Sequence, residues 1–167
     1  MPSRKRTRTL HAPAEESALR LAPFVAKDAK ALAALHSRCF PRPWKAEDFR
    51  RYADMSAYPG LLAWIGPKLA GFLIVSITAD EAEILTLGTE RALRRQGVAS
   101  ALLTRMMDNV ADLGATAIFL EVGVGNAAAR ALYERHGFVS EGLRKGYYDT
   151  PDGPEDAVIM KRTLRGI

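Results

Sequence analysis

The chain has 167 residues, of which 48% are hydrophobic and 26% charged, with a single cysteine. That length and composition suit one folded domain with a real core, and they exclude both a disordered chain and a small secreted scaffold held by disulfides. The formal net charge of +5 arises from 24 Lys plus Arg against 19 Asp plus Glu, and Arg4, Lys5, Arg6 and Arg8 supply four of those positive charges, so the rest of the chain is nearly neutral.

Residues 1–17 read as a flexible basic arm and residues 18–167 as a single domain. Such an arm can touch nucleic acid weakly through phosphate attraction, but a solvated terminus is its plainer reading. It leads into no apolar segment of the secretory kind, and no apolar run in the chain approaches the roughly 18 residues of a membrane span. Cys39 alone permits no internal disulfide. Together these predict a cytoplasmic protein without membrane association, and nothing calls for an assembly beyond a monomer or weak dimer.

In chain order, ALRLAPFV reads as a first strand, and AKDAKALAALHSRCF as a helix with Leu32, Leu35 and Cys39 on one face, broken by Pro41 and Pro43. A short helix, KAEDFRRYADM, follows. GLLAWIG, LAGFLIVSIT and EAEILTLGTE then form a three-strand meander around turns at Gly66-Pro67-Lys68 and Asp80. Val98, Leu102, Met106, Val110 and Leu113 mark one face of a longer helix that stops at Gly114. After it come the strand ATAIFLEV, a helix from the N-cap Asn126 to Gly137, and two final strands, FVSEGLRKGYY and EDAVIMKRT, around Pro151-Asp152-Gly153.

Two stretches raise chemistry. Gly123, Gly125 and Ala128 fit a dinucleotide fingerprint with Glu141 as the ribose acid, but the pattern falls too late in the chain and the elements do not repeat βαβ units, so a dehydrogenase is set aside. The better anion site is ERALRRQGVASALL, where Arg95, Gln96, Gly97, Val98, Ala99 and Ser100 present backbone N–H groups at a helix start, with Arg94 and Arg95 adding positive charge. No Gly-Lys-Ser/Thr follows, so the loop suits a pyrophosphate that is held rather than cleaved. An ordinary arginine-rich helix entry remains the alternative.

At these residues the sequence resembles the GNAT acetyltransferase superfamily: R-R-Q-G-V-A is similar to its acetyl-CoA loop, and the element order matches from about Leu19 to Thr163. Within it, LEVGVGNAAARALYERHGF, GYY and DGPEDAVIM resemble the RimI-type ribosomal-protein-alanine N-acetyltransferases. The resemblance implies a mixed α/β fold with a partly splayed sheet of about seven strands and about four helices. It implies acetyl-CoA as cosubstrate, Glu121 as general base, Tyr133 as general acid, Asn126 as a cofactor contact and Leu87, Gly88 and Thr89 as the pantetheine-binding strand. The acceptor it implies is a ribosomal protein N-terminus, flanked by Tyr147 and Tyr148. Gly123 and Gly125 depart from relatives that often carry arginine and serine there, and Ala99 replaces the commoner glycine. The bare glycines are expected to leave room for an extended acceptor backbone. Trp44 is either core-facing or a wall of the acceptor groove.

A base is useful to this chemistry because only a neutral amine attacks a thioester; at pH 7 an α-amine needs about 1 kcal/mol to lose its proton and a lysine about 4.6. Direct transfer needs no metal and no protein nucleophile: two ligands do not make a zinc site, and nothing orients His36 and Cys39 as a pair. His136 is expected to stand at its helix C-terminus, where it meets the dipole. A small-molecule amine acetyltransferase, or a non-catalytic CoA-sensing or protein-binding module, stays open as an alternative.

Overall fold

The computed structural model describes residues 18–164, so the expected basic arm lies outside the described residues. Strand β1 spans Leu19–Pro23, and helices α1 and α2 span Ala29–Cys39 and Ala46–Ala53. The meander is β2 Gly60–Ile65, β3 Lys68–Thr78 and β4 Glu81–Thr89; then come α3 Val98–Asp112, β5 Ala117–Gly123, α4 Ala127–Arg135, β6 Val139–Thr150 and β7 Gly153–Thr163. All strands join one mixed sheet in the order β1-β2-β3-β4-β5-β7-β6. Among the described residues no helix is long and apolar enough to cross a membrane.

The sheet is covered on both faces, which explains the unbroken apolar run of β3: every residue from Leu69 to Val75 is buried. On one face Leu102, Leu103 and Met106 of α3 pack on Leu73, Val75, Ile84, Ile118 and Leu120. On the other, Leu32, Leu35 and Phe49 of α1 and α2 pack on Leu62, Phe72 and Ile74. One expected core residue is displaced: Leu113 is 63% exposed, because α3 ends at Asp112 and the chain turns away through Gly114, whose φ is 100°.

Two irregularities open the sheet. β4 and β5 run parallel but pair only at Glu81–Ala117, Ala82–Ile118 and Glu83–Phe119, and beyond that they diverge. The cause lies on the other edge of β4. Ile74 faces Thr86 while Val75 faces Ile84, so Leu85 is an extra, bulged residue that bends β4 at the point of divergence. In consequence Leu85 and Thr86 both fall toward the α1–α2 face, where Leu85 joins the aromatic cluster and Thr86 meets His36. Beyond the gap, β7 inserts between β5 and β6 and runs antiparallel to both.

Candidate active site

One wall of the divergence is built from backbone. Gly97, the N-cap of α3, has φ of 81° and ψ of 8°, a left-handed conformation that glycine adopts without strain, and no side chain caps the helix. The first helical bond runs from Ala101 N to Gly97 O at 3.0 Å, which leaves the N–H groups of Val98, Ala99 and Ser100 without an intrahelical partner. A Cβ on Gly97 would meet nothing within 4 Å, so the approach to these donors is open. Arg95 is itself left-handed, at φ 62°, a conformation that costs a non-glycine residue energy and is concentrated at functional loops. Val98 points into the core, and Ser100 is occupied through Oγ by His136 Nε2 at 2.9 Å. Gln96 reaches back to Ala92 O at 3.5 Å, and Arg94 sits close enough to Cys39 to act on its thiol electrostatically.

The outer edge of β4 continues this wall. Glu90 N donates to Ala70 O at 2.8 Å, so by antiparallel alternation the backbone groups of Leu87 and Thr89 face the gap left by β5. Gly88 serves packing: a Cβ there would come within 2.5 Å of Phe72 and 3.2 Å of Cys39. Cys39 donates its thiol to Thr89 O at 3.5 Å, and burial pushes its ionisation up, so it is a poor nucleophile. Across the gap, Asn126 caps α4 by accepting from Ala129 N at 3.2 Å, which leaves its Nδ2 donors for other partners. Arg130, one turn along, has a buried Nε without an acceptor, a donor that the sequence did not single out. Uncapped helix N–H groups and an open glycine at the start of α3 fit a ligand that carries phosphates.

The opposite wall is built from side chains. Ile118, Leu120 and Val122 of β5 point into the α3–α4 core, so Glu121 projects from the other face of the sheet. Its Oε1 lies 3.0 Å from Arg144 Nη2, with the Glu121 side chain 13% exposed and that of Arg144 54%. The guanidinium rests 4.9 Å from the Tyr147 ring centroid, and the Glu121 carboxylate beside the Tyr147 hydroxyl is the first cause of its raised ionisation. Tyr148 donates to Glu121 O at 3.1 Å; burial first, then Tyr147, Glu121 and Glu155, push its hydroxyl up to about 12.

A wide bulge in β6 brings these groups together. Arg144 faces Ala157 and Tyr148 faces Glu155, so Lys145, Gly146 and Tyr147 stand against Asp156 alone. Gly146 N fastens the bulge by donating to Asp156 Oδ1 at 2.8 Å.

Tyr133 rises from α4 and is buried, its ring edge-on to Phe138 at 5.6 Å. Burial, and secondarily Tyr148, raise its ionisation far above the ordinary phenol value, so its proton is held firmly. Trp44 belongs to the α1–α2 cluster, stacked on His36 at 5.3 Å and packed against Phe49 and Tyr52. His36 accepts from Trp44 N through Nδ1 at 3.2 Å and meets Thr86 Oγ1 through Nε2 at 3.1 Å, rather than pairing with Cys39.

One expectation needs correction. The space beside Gly123 and Gly125 is not free for an acceptor backbone: Glu155 fills it, accepting from Gly125 N at 2.7 Å, and a Cβ would come within 2.9 Å of its carboxylate at Gly123 and 2.8 Å at Gly125. The glycines exist to admit that carboxylate. His136 stands at the C-terminal end of α4 as its C-cap, with its ring engaged with Ser100, and burial, Arg162 and Arg135 lower its ionisation. Arg144 and Glu155 were both missed. Each stood inside a quoted motif, but the β6 bulge and the insertion of β7 that aim them leave no local sequence signal.

The profile of the Acetyltransferase (GNAT) family matches residues 29–138. The [ribosomal protein bS18]-alanine N-acetyltransferase of Escherichia coli (strain K12) is 35% identical over 126 residues, covering 75% of this chain and 84% of that one. A putative enzyme of the same name from Bacillus subtilis (strain 168) is 29% identical over 133 residues, covering 78% and 85%. The crystal structure of the Escherichia coli ribosomal-protein-S18-alanine N-acetyltransferase superposes with a TM-score of 0.83 at 31% identity, over 90% of this chain and 96% of that one. Arabidopsis thaliana NAA60, solved in complex with acetyl-CoA, shares the fold at a TM-score of 0.79 and 20% identity, over 89% and 100%.

Proposed function

The chain belongs to the GNAT acetyltransferase family and is an N-acetyltransferase, and from that premise we propose that it moves acetyl from acetyl-CoA to a protein N-terminal α-amine, that of an alanine on a small-subunit ribosomal protein. An acceptor made on the ribosome places the reaction in the cytoplasm. Acetyl-CoA supplies the acetyl group already activated as a thioester. The N–H groups at the start of α3, with Arg94 and Arg95, hold its diphosphate; Leu87 and Thr89 hold the pantetheine arm through their backbones; Asn126 and Arg130 contact it from α4.

Glu121 takes the proton that the attacking amine must lose, and Tyr133 faces the departing sulfur as donor, each group worth about 10²- to 10⁴-fold. The burial that raises Tyr133 keeps its hydroxyl protonated at every working pH, so the donor is always charged with its proton. The nitrogen–carbon bond forms, the carbon–sulfur bond breaks, one proton leaves the amine and one reaches the thiolate. No metal enters this scheme.

The observation that supports the reading is that Glu121 lies on β5 beyond its last residue paired with β4, with its side chain on the face of the sheet opposite α3. The test is mass spectrometry of a peptide with a free N-terminal alanine, beside the same peptide blocked at its N-terminus and bearing a lysine. Acetylation at the α-amine is expected. Modification of lysine alone, or activity confined to small amines, overturns the acceptor and leaves the acetyltransferase.

A further inference from the structure

We propose that Arg144 is a specificity-determining residue: its guanidinium, fixed on Glu121, turns away protonated amines and so selects α-amines over lysine side chains. The inference rests on the reading of Glu121 as the base.

The pair joins a half-exposed arginine to a carboxylate that is mostly covered. Arg144 Nη2 lies 3.0 Å from a carboxylate oxygen that is largely withdrawn from solvent, and the guanidinium is braced 4.9 Å from the Tyr147 ring centroid. Tyr147 is carried by the bulge that Asp156 fastens through Gly146. Around this pair, Glu83 and Glu155 add negative charge near the tyrosine hydroxyls, and Lys161 is drawn off over the Phe119 ring at 5.1 Å. Among the described residues, Arg144 is the cation in ion-pair contact with Glu121.

A bare carboxylate at the mouth of an acetyl-transfer site has a defect. It attracts ammonium groups, and an ammonium has no lone pair with which to attack. Lysine, with a pKa of about 10.4, is neutral in roughly one molecule in 2,500 at pH 7, whereas an α-amine near 7.7 to 8.0 is neutral in roughly one in ten. Arg144 carries a permanent charge and cannot be deprotonated to make way. It answers the charge of Glu121 before any acceptor arrives and repels a second cation, while a neutral amine meets no such barrier. The site then selects by the acceptor's own acidity, without needing a pocket that measures side chains.

The test compares the wild type with Arg144→Gln, which removes the charge, and Arg144→Lys, which keeps it. Two peptides of one sequence are used: one with a free N-terminal alanine and its lysine pre-acetylated, the other with a blocked N-terminus and a free lysine. Circular dichroism confirms folding. The expected result is that the α-amine to lysine ratio of kcat/KM falls at least tenfold in Arg144→Gln, through a lower KM for the lysine peptide, and recovers in Arg144→Lys. An unchanged ratio in Arg144→Gln, even with both rates reduced, overturns the proposal and leaves Arg144 as a support that orients Glu121. A wild type that acetylates neither peptide overturns the acceptor reading as well.

Discussion

The two walls of the gap between β4 and β5 are made of different material. On the proposed function one wall would meet the acetyl donor and the other the acceptor, and the donor wall is backbone: the uncapped N–H groups of α3, the left-handed Gly97 and the outer edge of β4. The acceptor wall is side chain: Glu121, Arg144, Tyr147, Tyr148 and Glu155, contributed by three strands. A wall of backbone binds what all acetyl donors share. A wall of side chains can be retuned for a new acceptor one residue at a time, without disturbing the donor.

The sharpest way to separate the walls is Glu121→Gln. Turnover should fall by about 10²- to 10⁴-fold, while calorimetry shows acetyl-CoA binding within about twofold of the wild type. A parallel loss of acetyl-CoA affinity would mean that the walls are not independent.

His36 backs the donor strand, since its ring meets Thr86 of β4 and accepts from Trp44 N beside the α1–α2 cluster. Burial lowers its ionisation from 6.5 to about 4. Above pH 6.5 the ring is neutral in both folded and unfolded chains. Between 6.5 and about 4 only the unfolded chain takes the proton, so stability is present at neutral pH and lost as the pH falls through that window, by on the order of 3 kcal/mol. Urea melts from pH 7 to 4 should show this slope in the wild type and its loss in His36→Gln. Equal slopes would place the acid sensitivity elsewhere.

The smallest effect is on the donor wall. Gly97→Val forces a β-branched residue into a left-handed conformation, costing about 1 to 2 kcal/mol, and should weaken acetyl-CoA binding about tenfold while leaving the KM for the acceptor peptide unchanged. A larger change in the acceptor KM than in acetyl-CoA affinity would reverse the assignment of the two walls.

Legibility in the sequence follows the same division. A backbone wall is written locally, in one strand end, one loop and one helix start, and R-R-Q-G-V-A exposes it without knowledge of the rest. The strands and helices were legible too, because their period and their glycine and proline stops are local, and boundaries shifted by only a few residues. Leu113 failed because a helix that stops one residue short leaves its last apolar residue outside. Arg144 and Glu155 failed for a deeper reason: their aim depends on a bulge of Lys145, Gly146 and Tyr147 against Asp156, and on pairing between segments far apart in the chain. Gly123 and Gly125 were visible as empty places, but only the fold says that a carboxylate from β7 occupies them.

The insertion of β7 between β5 and β6 also sets the order of assembly during synthesis. β2 to β4 form a meander of neighbouring hairpins, which close over short loops and gain their contacts early. β5 and β6 have no mutual contact to make until β7, translated after both, slots between them and pairs Gly123 with Ala157 and Ala117 with Thr163. Glu121 on β5 and Arg144 on β6 therefore meet at 3.0 Å only across β7, and their pairing depends on a strand that follows both in the chain.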